Sequence, residues 1–187
     1  MNTIPIIHII GLPGAGKTTL SKKLCKTLNV PVFRIGNYRV RFPKTLIGEA
    51  DAWVELFKEL SQRKWRNCIL ETTGLNYREE FLGKALPFDH IFTIKLEASQ
   101  KILVSRIQKK KKEDQGGQWL FSSNYRDKYE FVRKLWKDFR KIPANCYINT
   151  NQLMEKEVYY KAIEEINFIR SMWMEMQNGI GVKSGKR

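Results

Sequence analysis

Residues 11–18 read Gly-Leu-Pro-Gly-Ala-Gly-Lys-Thr, the spacing G-x-x-x-x-G-K-[ST]. Each residue type in that pattern has a chemical reason. Glycine permits backbone conformations that side chains forbid, so the loop can turn its N–H groups inward around phosphate oxygens. Lys17 is the residue that reaches a β- or γ-phosphate, and the Thr18 hydroxyl is a ligand for Mg²⁺. Gly11, Pro13, Gly14, Ala15, Gly16, Lys17, Thr18 and Thr19 are therefore the expected contacts to a nucleoside triphosphate. An apolar run, Ile4–Ile10, precedes the loop and a helix-like stretch, Thr19–Leu28, follows it. This strand–loop–helix context gives the pattern its meaning, because the amides then sit at a helix N-terminus that already favours anions.

Four other segments fall where phosphoryl transfer needs them. Glu71-Thr72-Thr73-Gly74 ends an apolar run, so Glu71 is expected to face Mg²⁺ or its waters, or to act as a base. Past the second strand, Asn37, Arg39 and Arg41 surround Tyr38, which suits an anionic, ring-bearing acceptor. Arg106 and Lys110 share a helical face and precede a polar, Gly-containing stretch. Such cations would neutralise charge on the transferring group, a role worth about 10³–10⁵ in rate in related chemistry. The stretch to Phe121 contains Gly116, Gly117 and Trp119 and is read as a lid over about 109–123, which would exclude water. Trp119 either stacks on a base or packs in the lid.

The elements that must hold these residues alternate along the chain. Strands are predicted at Ile4–Ile10, Val30–Ile35, Cys68–Thr72, Phe88–Leu96 and Cys146–Asn149. Helices are predicted at Thr19–Leu28, Glu49–Trp65, Tyr77–Leu86, Ala98–Lys110, Asn124–Arg140 and Glu155–Gln177. In the Glu49–Trp65 helix the expected inner face is Ala50, Trp53, Val54, Phe57 and Leu60. Alternation of this kind predicts a five-stranded parallel α/β sheet with helices on both faces. Its ligands bind beyond the carboxyl ends of the strands. The aromatic residues of the last two helices are assigned to the core. A single domain over 1–178 is expected, with Gly179–Arg187 a flexible basic tail.

Composition narrows the function further. Among 187 residues, 34 are Lys or Arg and 19 Asp or Glu, a formal net charge of +15. Such a surface attracts polyanions, and nucleic acid, DNA in particular, is the expected partner. The 42% hydrophobic content supports a sizeable core and excludes a disordered chain. No apolar run approaches the roughly 20 residues that cross a bilayer, and no signal peptide is visible. Membrane association is therefore not expected, and the expected location is the cytoplasm, that of the host if the source is viral. Cys25, Cys68 and Cys146 form no metal-type spacing and are read as buried thiols of a reducing compartment. His8, alone in the first strand, is read as structural.

The phosphate loop, Asn37-Tyr38-Arg39, Thr72-Thr73-Gly74-Leu75-Asn76 and Arg106 before its basic run together resemble the 5′-polynucleotide kinase branch of P-loop kinases. That branch is similar to nucleoside monophosphate, gluconate and zeta-toxin kinases. The resemblance covers residues 4–150. It implies a three-layer P-loop kinase fold with a lid, ATP and Mg²⁺ as cofactors, Thr18 and Glu71 on the metal, and Asn76 among the substrate-binding residues. In that branch an Asp before the Tyr-Arg pair is the general base. Here Gly36 and Asn37 stand at those positions, and Glu71, Glu49 and Asp51 are the carboxylates available to replace it. The chain is also similar to the phage kinases that phosphorylate 5-hydroxymethyluracil in DNA. The expectation is an ATP-dependent kinase that transfers the γ-phosphoryl group to a hydroxyl of a nucleic acid, most simply a hydroxymethylated base. The alternative is a small-molecule, nucleoside or nucleotide kinase, followed by a nucleotide-dependent switch or ATPase. Lys17, Arg106, Glu71 and Asp51 are the expected catalytic residues.

Overall fold

The computed structural model describes residues 4–75, 90–109 and 127–181. Five strands form one parallel sheet in the order β2-β3-β1-β4-β5. They are β1 (Ile6–Gly11), β2 (Val32–Arg34), β3 (Cys68–Thr72), β4 (Ile91–Glu97) and β5 (Cys146–Asn149). Every residue of β1 is buried, as its near-continuous apolar run requires of a strand covered on both faces. Register places Ile9 beside Glu71 and Gly11 beside Leu96, so the strand ends that carry the expected chemistry lie side by side.

The described helices are α1 (Lys17–Leu28), α2 (Ile35–Arg39), α3 (Leu46–Gln62), α4 (Gln100–Lys109), α5 (Lys128–Lys141) and α6 (Glu155–Gly181). Alternate residues of the strands feed two apolar clusters. One joins Ile7, Ile9, Ile69 and Ile94 to Leu20 and Leu24 of α1, Leu103 of α4, Val132 of α5 and Ile166 of α6. The other joins Ile6, Cys68 and Leu70 to Phe33 and to Ala52, Trp53, Leu56 and Leu60 of α3. This is the expected α/β architecture. A charged side chain sits inside it: Lys95 is fully buried, and its ammonium donates to the carbonyls of Arg140 (3.0 Å) and Ile142 (2.8 Å). Those carbonyls close α5, whose negative end suits a cation. A carboxylate oxygen of Glu97 lies 2.8 Å from the same nitrogen.

Several boundaries differ from expectation. The short helix α2 occupies residues read as an open acceptor segment. Helix α3 begins three residues earlier than predicted, and Val54 is 66% exposed rather than inward. The inner stripe is Glu49, Ala52, Trp53, Leu56 and Leu60, and Val54 lies one residue, about 100° of arc, beyond it. Helix α6 runs four residues past its predicted end, because a single glycine weakens a helix without ending it. The first residues of the expected tail therefore belong to α6. The predicted helix at 77–86, Asn76, Lys110, the body of the lid and residues 182–187 lie outside the described residues. Cys68 and Cys146 are buried free thiols, whereas Cys25 is only partly covered. Burial lowers the His8 pKa to about 3, and His8 Nε2 lies 2.8 Å from Thr72 Oγ1, in keeping with a structural role. Among the described residues no helix is long and apolar enough to cross a membrane.

Candidate functional site

The loop between β1 and α1 begins at the end of the most buried strand and delivers its backbone to a helix start. Gly14 and Gly16 have φ of 85° and 95°, a region that a side chain makes costly. Gly14 has a second reason to be glycine. A Cβ there would stand 2.7 Å from the Leu103 carbonyl oxygen, so α4 presses its backbone directly against the loop.

Helix α1 starts without a capping side chain and without an acidic residue in its first turn. Two of the longer helices are capped conventionally. Thr45 accepts from Gly48 N at the start of α3, and Asp127 accepts from Tyr129 N and Glu130 N at the start of α5. No side chain caps the first turn of α1, and the positive end of the helix favours an anionic ligand. Lys17 Nζ donates to the carbonyls of Gly11 (2.7 Å) and Leu12 (3.4 Å), which holds the ammonium across the mouth of the loop.

Glu71 organises the metal side. Its Oε1 accepts the Thr18 hydroxyl at 2.7 Å. Its Oε2 accepts Ser21 Oγ and Arg34 Nε, each at 2.8 Å. Burial alone would raise the Glu71 pKa. The charge of Lys17 and hydrogen bonds from Thr18, Arg34 and Ser21 outweigh that, and hold the carboxyl below its ordinary range. Glu71 is therefore a carboxylate with one oxygen fixed and the other turned to Thr18. Arg34 and Ser21 did not figure among the expected site residues. Ser21 was within reach of sequence reasoning, one turn after Thr18, whereas Arg34 meets Glu71 only through the strand register that the fold sets.

The acceptor-side residues separate. Arg39 donates to both oxygens of Glu49 (2.7 and 2.6 Å), and Trp53 Nε1 adds a third bond to that carboxylate at 2.9 Å. This buried set ties α2 to α3. Arg41 is exposed, pairs with Glu55 at 2.7 Å and lies 5.0 Å from the Tyr38 ring centre. Asn37 and Asp51 are exposed on α2 and α3. The structure thus joins Lys17, Thr18 and Glu71 in one site, whereas Arg39 is held in the α2–α3 contact and Asn37, Arg41 and Asp51 are exposed. Of the three carboxylates open as a base, Glu71 and Glu49 each hold an arginine.

Arg106 stands against the loop from the opposite side. Its guanidinium donates to the Thr150 hydroxyl (3.0 Å) and to the Thr150 carbonyl, and approaches the Gly14 carbonyl at 3.5 Å. Beside it opens a cavity of about 300 Å³ lined by Gly14, Ala15, Gly16, Thr19, Leu20, Arg106, Lys109, Thr150, Leu153, Glu155 and Val158. One end is the anion-ready loop, and the walls combine apolar side chains with a few polar ones, the usual make-up of a small-molecule pocket. Lys23 and Glu155, 3.4 Å apart, link α1 to α6 at its edge. Sequence reasoning missed Thr150, Leu153, Glu155 and Val158, which form no motif and meet the loop only through the fold.

The family model described as an AAA domain matches residues 7–130. Three solved structures share the fold at low identity. Shikimate kinase from Acinetobacter baumannii, in complex with shikimate, is 20% identical, with 88% of this chain and 94% of that chain covered at a TM-score of 0.58. A gluconokinase from Sinorhizobium meliloti 1021 is 11% identical, with 91% and 97% covered at 0.59. Deoxyadenosine kinase from M. mycoides, with bound dATP, is 21% identical, with 87% and 99% covered at 0.56. No curated protein matches the chain.

Proposed function

The chain belongs to the AAA domain family, and we propose that it is a P-loop kinase that moves the γ-phosphoryl group of ATP to an alcohol hydroxyl of a small molecule or nucleoside. One observation carries this reading. Gly14, Ala15, Gly16 and Thr19 of the loop and the uncapped start of α1 line a cavity of about 300 Å³, and the same loop carries Lys17 and the Thr18–Glu71 pair. The gluconokinase and the shikimate and deoxyadenosine kinases named above share this fold and support the same class of reaction.

In this reading the loop amides and Lys17 grip the triphosphate tail, and the cavity behind Arg106 takes the nucleoside. The Thr18 hydroxyl and Glu71 fit Mg²⁺, which prefers one or two carboxylate or hydroxyl oxygens together with substrate phosphates. When bound, the ion neutralises charge on the β- and γ-oxygens. Arg106 adds a second positive charge at the end of the loop. Transfer of this kind depends on positioning and charge more than on a strong base. That suits a site whose nearest carboxylate is held by Arg34, Ser21 and Thr18.

A second reading rests on the net charge of +15, which favours a hydroxyl on nucleic acid, including a hydroxymethylated base in DNA. An acceptor panel with γ-labelled ATP separates the two. It contains hydroxy acids, sugars, nucleosides, 5′-hydroxyl oligonucleotides and DNA carrying 5-hydroxymethyluracil. Label on a free small acceptor is the expected result. Label confined to polynucleotide selects the second reading, and label found only as inorganic phosphate overturns both.

A further inference from the structure

The excess of positive charge is not spread evenly over the molecule. Helix α3 presents Glu49, Asp51, Glu55 and Glu59 against Lys58 alone. Helix α6 carries more Glu than Lys and Arg. Helix α5 reverses the balance: Lys128, Arg133, Lys134, Lys137, Arg140 and Lys141 stand against Glu130 and Asp138. Its inner face is Val132 and Phe139, and its exposed face contains Arg133, Lys137 and Arg140. These three are spaced by four and three residues, so they form one stripe. Among the described residues no carboxylate pairs with any of them, whereas Lys134 and Lys141 lie 2.9 and 3.0 Å from Glu130 and Asp138. Like charges at this spacing repel, and a solvated helix has no need of such an arrangement.

The stripe is also well placed. Helix α5 lies against the segment that leads into α4: Gln100 donates to the Arg133 carbonyl at 3.2 Å, and Trp136 Nε1 to the Ala98 carbonyl at 2.9 Å. Helix α4 in turn carries Arg106 and Lys109 into the cavity wall. A polyanion seated on α5 would therefore lie one helix away from the nucleotide site. The Arg140 guanidinium carbon lies 5.0 Å from the Trp136 ring centre, a cation–π contact at the stripe's end.

We infer that the Arg133–Lys137–Arg140 face of α5 is a docking surface for the phosphate backbone of a nucleic acid. This deepens the second reading above and locates its partner, yet it requires no phosphoryl transfer and is measured without nucleotide. Binding of a fluorescent 20-nucleotide oligonucleotide, single-stranded and duplex, is followed by anisotropy across a salt series. Each phosphate contact contributes about −0.9 to the slope of log affinity against log salt on a duplex. The triple variant Arg133→Gln, Lys137→Gln, Arg140→Gln should bind with a slope shallower by about 2 to 3. A variant with the same charge removed elsewhere, Lys22→Gln, Lys26→Gln, Lys58→Gln, should keep the wild-type slope. The double variant Arg133→Gln, Lys137→Gln leaves the Arg140–Trp136 contact intact, and should show about two thirds of the triple variant's effect. A flat wild-type dependence, or equal slopes for the stripe and control variants, overturns the inference. So does binding to phosphatidylserine vesicles without binding to either oligonucleotide. Failure here leaves the kinase reading standing, because ATP-dependent transfer is a separate measurement.

Discussion

Glu71 shows how a single side chain reports on the site. Four groups hold it ionised against the cost of burial, and the stability they contribute depends on pH in a defined direction. A carboxyl whose pKa is lowered by folding stabilises the protein above its unfolded pKa, near 4.5, and loses that contribution as pH falls through the folded value. Urea unfolding of wild type and Glu71→Gln at steps from pH 6 to pH 3 is the check. The stability difference should be steady above about pH 5 and should shrink below about 4.5. A difference that stays constant or grows on acidification contradicts the assigned hydrogen bonds. The phosphate loop was legible because its chemistry is contiguous, with glycine, lysine and threonine at fixed spacing in eight consecutive residues. The holders of Glu71 were less so: Arg34 and Ser21 come from two other elements, and only strand register and helical spacing link them to it.

At the scale of elements, the Arg39–Glu49–Trp53 set fastens α2 to α3. Both charged side chains are nearly covered, at 14% and 4% exposure. Removing one partner of such a pair strands the other, at a cost of about 3–5 kcal/mol, whereas removing both is far milder. Chemical denaturation should find Glu49→Gln destabilised by about 3 kcal/mol. The double variant Arg39→Met, Glu49→Met should recover most of that loss. Additive losses in the double variant would mean that the two residues do not act as a pair. The same region shows where pattern reading fails. Five residues of α2 are too few for helical periodicity to emerge, and Gly36 and Asn37 are poor helix formers. The strands were the easiest elements to locate: β3 and β5 match their predicted ends, β3 buried throughout as a strand covered on both faces, β5 alternating buried Cys146 and Ile148 with exposed Tyr147 and Asn149. Helix faces were harder, as Val54 shows.

At the scale of the molecule, the fold brings Thr150, Leu153 and Glu155 to a loop about 140 residues earlier in the chain and closes a pocket that no local pattern foretells. A ligand that occupies this pocket binds only the folded state, so it must raise stability by mass action. MgATP at about 100 times its dissociation constant should add roughly 2.7 kcal/mol, read as a rise in unfolding midpoint by calorimetry. AMP, which lacks the phosphates that the loop grips, should add far less at the same concentration. Equal shifts from both would place the binding energy in the cavity and not in the loop.

The most direct test follows the γ-phosphoryl group itself. Wild type and Lys17→Ala are incubated with γ-labelled ATP, Mg²⁺ and the best acceptor from the panel, and the label is traced to organic ester or inorganic phosphate. Wild type should form the ester, and Lys17→Ala should lose on the order of 10² to 10³ in rate while still unfolding in a single cooperative transition. Undiminished transfer by Lys17→Ala, or label recovered from wild type only as inorganic phosphate, would contradict the kinase reading.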